Sequence, residues 1–148
     1  MLQIVVAAVV VVAAVALGLV LRRRQEAAVP TQPSRDLPAQ VDRTDFPEAT
    51  APWMVAVFSS ATCHACDDVV RKAKVLESPQ VSVIDVEFTQ YRSLHHKYRI
   101  ESVPLVAIID SQGVVRRGFA GPVSATDLWA AVAEAREPGT SPEPDLGH

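Results

Sequence analysis

Cysteine is scarce in this chain. Of 148 residues only Cys63 and Cys66 carry a thiol, and just two residues separate them. An excess of positive charge is missing too. The formal net charge is -3, and from Asp42 onward 10 Lys/Arg face 15 Asp/Glu. That balance argues against a nucleic-acid-binding surface. There is no internal repeat. Residues 2 to 21, LQIVVAAVVVVAAVALGLVL, lack charge altogether, and Gln3 is their one strongly polar side chain. The features of a cleaved leader are also lacking. No basic n-region precedes the run, it is longer than the ~7–15 residues of such a leader's apolar core, and no clear A-x-A site follows it. What remains is a membrane anchor, since 20 residues in a helix rise about 30 Å, the thickness of the hydrocarbon core.

The next residues orient that expected helix. Arg22, Arg23 and Arg24 follow it at once, and only the amino terminus offers positive charge on the other side. The positive-inside rule then places the arginines, and with them the rest of the chain, on the cytoplasmic side; an extracytoplasmic domain is the alternative. Residues 22 to 52 begin basic and become proline-rich, with Pro30, Pro33, Pro38, Pro47 and Pro52. They are expected to form a semi-extended linker, with room for a short strand near 40 to 46. From Pro138 to the end, PGTSPEPDLGH is expected to be disordered. One small domain, residues 53 to 137, is left.

Its pattern alternates. WMVAVF, 53 to 58, is a continuous apolar run that suits a strand buried on both faces. From Cys63 the period becomes helical, through Cys66, Val69, Val70, Ala73 and Leu76, with Thr62 as the expected N-cap and Asp67 and Asp68 in the first turns. VSVIDVEF (81 to 88) predicts a second strand and YRSLHHKYR (91 to 99) a short helix. VPLVAIID (103 to 110) and VVRRGF (114 to 119) predict two strands joined by a hairpin at Gly113. A last helix is expected from Ser124, with Asp127 three residues on as in a capping box. Such alternation of strands and helices predicts an α/β fold, a sheet covered by helices.

The Cys63-His64-Ala65-Cys66 motif thus follows a buried strand and opens a helix. Val103-Pro104 stands before a hydrophobic strand, 41 residues after Cys63, with Gly113 in the next hairpin and Gly121 before the last helix. On these residues the stretch from about 53 to 136 resembles the thioredoxin family. The resemblance implies a central mixed sheet flanked by helices, here preceded by one N-terminal transmembrane helix. It implies a Cys63–Cys66 disulfide that opens and closes, a cis Pro104 beside it, and a Val103 backbone that pairs with a substrate chain. Cys63, at the helix N-terminus, would attack a substrate disulfide, and Cys66 would resolve the mixed disulfide. A protonated His64 would favour the Cys63 thiolate, and Asp67 and Asp68 would oppose it. The partners implied are a protein disulfide or dithiol and a second redox protein that recharges the pair; the exchange needs no cofactor.

Three departures from the family stand out. Thr62 replaces a tryptophan, Ala65 replaces a proline, and Val57 replaces the buried acid six residues before the first cysteine. That acid is associated with the resolving cysteine's proton, so the activation of Cys66 is left open. Two other functions compete. Cys63 and Cys66 with His95 and His96 would suit zinc, and with His64 copper, although adjacent helical histidines project about 100° apart. A redox-inactive binding module is the other. Haem attachment is excluded, because Asp67 stands where a histidine is required.

Overall fold

A computed structural model describes residues 37 to 139 and Val15. The expected transmembrane helix, the basic part of the linker and most of the expected tail lie outside the described residues. Among the described residues no helix is long and apolar enough to cross a membrane.

Four strands form one sheet: β1 (Trp53–Ser59), β2 (Val81–Glu87), β3 (Leu105–Ile109) and β4 (Val115–Ala120). Among residues 37 to 139 three α-helices accompany them: α1 (His64–Lys74) and α2 (Arg92–Lys97) lie between strands, and α3 (Ala125–Arg136) follows β4. The strand order is β2-β1-β3-β4. β1 and β2 are parallel, with α1 as their crossover, and the other two pairs are antiparallel. The sheet is therefore mixed. Residues 54 to 58 of β1 are all inaccessible because β1 is an inner strand covered on both sides.

The pleat divides the core. Met54, Ala56 and Phe58 face a cluster with Ile84, Val86, Leu94 and Tyr98, under α2. Val55 and Val57 face the opposite cluster, built from Val69 and Ala73 of α1 and Leu128, Ala131 and Val132 of α3. Strand periodicity of two and helix periodicity of 3.6 meet on that second face. Ser124 caps α3, its hydroxyl accepting the Asp127 N–H at 3.0 Å.

The structure moves one boundary. Residues 37 to 52, expected as the end of the linker, are part of the folded unit. Val41, Phe46, Ala49 and Ala51 are buried, Phe46 to 1% exposure. The Phe46 and Tyr98 rings stack with centroids 6.2 Å apart. Asp42 N–H donates to the Tyr98 hydroxyl at 2.9 Å, and Arg43 donates to the Ala49 and Ala51 carbonyls. In place of the short strand expected near 40 to 46 there is a single bridge, Gln40 to Val114, and a 3-10 turn over Arg43–Asp45. Isolated apolar residues among prolines carry no period, so the packing was invisible as a pattern.

Candidate active site

The register of the sheet collects the site at one end. β1 runs out at Ser59 and β2 at Glu87, its parallel partner. Leu105, the first residue of β3, pairs with Phe58 on one side and with Ala120, the last residue of β4, on the other. The loops that carry Cys63, Val103-Pro104 and Gly121 therefore all leave the same edge of the sheet.

Cys63 is the N-cap of α1, with φ -98° and ψ 101°, and α1 proper begins at His64. This corrects the expectation that Thr62 caps the helix. Ser60 and Thr62 make a turn just before it, in which Cys63 N–H donates to Ser60 O at 2.9 Å and the two hydroxyls lie 3.2 Å apart. At the N-cap a side-chain acceptor meets the unpaired N–H groups of the first turn. A Cys63 thiolate would occupy that place, where both the N–H groups and the helix dipole stabilise negative charge.

Cys63 and Cys66 are joined by a disulfide, Cα to Cα 5.3 Å. The two sulfurs are not equivalent. Cys66 is 1% exposed and lies on the inner stripe of α1 with Val69 and Ala73, whereas Cys63 is half-buried. An incoming reactant meets Cys63 first. His64 is exposed at the first helical position. Asp68 is neutralised by ion pairs with Arg71 and Lys72, both at 2.5 Å, and the Lys72 ammonium is the leading cause that holds its carboxyl below the usual range. The Val103-Pro104 peptide is cis. Pro104 is buried and its carbonyl accepts Gly121 N–H at 2.8 Å, while Val103 is half-buried.

Three polar residues that sequence reasoning passed over complete the site. Ser59 donates to Asp85 Oδ1 at 2.5 Å. Glu87 accepts from the N–H groups of Ala61, Thr89 and Gln90 and from the Thr89 hydroxyl. These bonds, the Thr89 hydroxyl foremost, hold its carboxyl below the usual range although partial burial acts the other way. Glu87 thereby ties the loop before Cys63 to the loop after β2. The one available signal was the break in apolar character at alternate positions of β2.

His95, weighed above with His96 as a zinc ligand, is 3% exposed; its Nε2 sits 2.7 Å from the Val86 carbonyl oxygen, and the edges of Phe58 and Phe88 flank it. His96 is exposed. Among the described residues no three His, Cys, Asp or Glu side chains are placed to hold a metal ion.

Comparison with known proteins bears on the fold. No family model matches the chain, and no curated protein matches it. Solved structures do. A single-residue mutant of a thioredoxin from Halobacterium salinarum superposes with a TM-score of 0.52 at 20% identity, over 72% of this chain and 96% of that one. A Plasmodium falciparum thioredoxin superposes with a TM-score of 0.51 at 15% identity, over 60% of this chain and 75% of that one. The fold is thioredoxin-like, and it carries a Cys-x-x-Cys disulfide at the start of a helix.

Proposed function

We propose that this chain is a membrane-tethered thiol–disulfide oxidoreductase that exchanges electrons with protein disulfides through Cys63 and Cys66. The observation that carries the reading is the asymmetry of the pair: a reachable sulfur at a helix N-cap, bonded to a buried one a turn later. Reduced Cys63 attacks one sulfur of a substrate disulfide as a thiolate, and the other substrate sulfur leaves as a thiolate. Cys66 then gives up its proton and attacks Cys63 Sγ. The second substrate thiolate leaves, the pair is oxidised by two electrons, and the substrate is reduced by two. In the other direction the same steps oxidise a substrate dithiol. Val103 and Pro104, at the same sheet edge, supply the surface against which a substrate chain lies.

The tether is the apolar run 2 to 21, and Arg22, Arg23 and Arg24 support a cytoplasmic placement of the domain. The test is the reduction potential of the pair, measured on the full-length protein in graded thiol–disulfide buffers. A value near -270 mV marks a reductant and fits the cytoplasmic side. A value between about -180 and -120 mV marks an isomerase or oxidant and overturns that placement. Failure to titrate at any potential overturns the oxidoreductase reading.

A further inference from the structure

β2 ends the sheet on one side, and part of its backbone points away from every other strand. The Gln80 carbonyl accepts Trp53 N–H at 3.1 Å, and Phe88 N–H donates to the Ser59 carbonyl at 3.0 Å. Alternate residues of a strand turn their N–H and C=O groups to opposite sides. Ser82, Ile84 and Val86 therefore serve β1, and Val81, Val83, Asp85 and Glu87 turn outward. The two ends of the outward set are closed within the chain. Val81 exchanges both its bonds with Ser78, at 3.0 and 3.1 Å, and the Glu87 carbonyl accepts Tyr91 N–H at 2.9 Å. Among the described residues nothing bonds the N–H and C=O groups of Val83 and Asp85, which lie between. Both residues are half-buried, not covered. Such a stretch is a template for one more strand.

The open stretch has a centre, and its surroundings match themselves. Val83 and Asp85 flank Ile84. An identical strand laid antiparallel about that point sets Val83 opposite the partner's Asp85, and Asp85 opposite the partner's Val83. Each such pair exchanges two hydrogen bonds, so every free group of Val83 and Asp85 is met. Centring on Asp85 instead would set two carboxylates face to face, and like charges directly opposite are destabilising. The helix beside this border carries charge of both signs. Asp67 and Lys74 of α1 line one cleft together with Asp85. Asp67 stands in the first turn and Lys74 is the last residue. Both are exposed, and neither takes part in an ion pair among the described residues. A two-fold axis runs two copies of α1 antiparallel, so the acidic end of each turns toward the basic end of the other.

We propose that the outer border of β2 is a self-recognition surface. A second copy of this chain adds its own β2 there, antiparallel about Ile84, and the sheet continues from one copy into the other. Only two residues of each strand carry the pairing, so the dimer is a weak one that forms and parts with concentration. The proposal uses no cysteine and stands apart from the oxidoreductase reading.

The test is sedimentation equilibrium of the full-length protein in density-matched detergent, over a range of protein-to-detergent ratios. The unsubstituted protein is expected to show a monomer–dimer equilibrium. Two substitutions at one position then read the register. Val83→Glu sets a carboxylate opposite the partner's Asp85, and Val83→Lys sets an ammonium there. Val83→Lys is expected to dimerise more tightly than Val83→Glu, on the order of 10-fold, because the contact occurs twice. Both remove the same apolar side chain, so damage to the fold alone would move them together. Val83→Pro removes an outward N–H that β1 does not use, and is expected to abolish the dimer while the far-UV circular dichroism is kept. A monomer at every ratio overturns the proposal. A dimer that survives Val83→Pro, or that Val83→Glu and Val83→Lys affect equally, overturns it too. Association would then run through another surface, such as the apolar run 2 to 21.

Discussion

The Glu87 carboxylate accepts the backbone N–H of Ala61 at 3.2 Å, across 26 residues of chain. It also holds Thr89 and Gln90, so one side chain fixes two loops at the reactive edge. Glu87→Ala leaves these N–H groups to solvent and loosens the turn that places Cys63 at the N-cap. The expected outcome is a several-fold slower first attack of Cys63 on a model disulfide, with the thermal midpoint lowered by only a few degrees. An unchanged rate would show that the turn holds itself.

Under the proposed exchange, the difference in exposure between the two cysteines sets the order of attack. Cys66→Ser is expected to trap a covalent Cys63–substrate adduct, visible as a mixed disulfide on a non-reducing gel and released by dithiothreitol. Cys63→Ser is expected to give no adduct, because the remaining thiol is 1% exposed. Adducts of equal yield from both variants would remove the asymmetry on which the mechanism stands.

Phe46 extends the folded unit upstream of β1. Phe46→Ala removes a ring that is 1% exposed and stacked on Tyr98, and is expected to cost about 3–5 kcal/mol in denaturant unfolding. A chain shortened to begin at Trp53 is expected to lose cooperative unfolding, while one shortened to begin at Leu37 keeps it. A cooperative transition in the shorter chain would return residues 37 to 52 to the role of linker.

Asp110, at the end of β3, ties down the hairpin. Burial pushes its carboxyl upward, but the Val114 N–H, the Arg116 side chain and the Gln112 N–H together hold it below the usual range. Its pKa is lower in the folded state than in the unfolded state, so its contribution is complete above the unfolded value of about 3.9. That contribution is lost as pH falls through the folded value. Asp110→Asn is therefore expected to destabilise the protein by about 2 kcal/mol at pH 7 and by less at pH 3, measured by urea unfolding at both. An equal cost at both pH values would show that the ionised form is not what matters.

The elements with a strong period were legible in the sequence. The apolar run 53 to 58, the stripe of α1 and the Ser124 cap appear where the alternation of strands and helices put them. What escaped notice has a common cause. Phe46 lies among prolines without a repeat, so no window around it distinguishes a core residue from a tether. His95 looks like a surface residue until the Val86 carbonyl is seen opposite it. Ser59 and Asp85 are 26 residues apart and meet only through the parallel register. A pattern within one segment reports which face is apolar; it does not report which polar side chain on another strand lies alongside.

The bridge between Gln40 and Val114 has a further consequence. β4 is an outer strand, and a bare outer strand offers unpaired N–H and C=O groups to any other chain. Here the upstream segment covers part of that border, through Val41 N–H to Gly113 O and Val115 N–H to Ala39 O. The guard works only because position 113 is glycine, with φ +80°: a Cβ there would sit 2.1 Å from the Val41 carbonyl oxygen. Farther along, Arg116 and Arg117 are exposed and add charge to the same strand. Residues 39 to 41 thus act as a shield against edge-to-edge aggregation, built from a segment that belongs to no strand of the sheet.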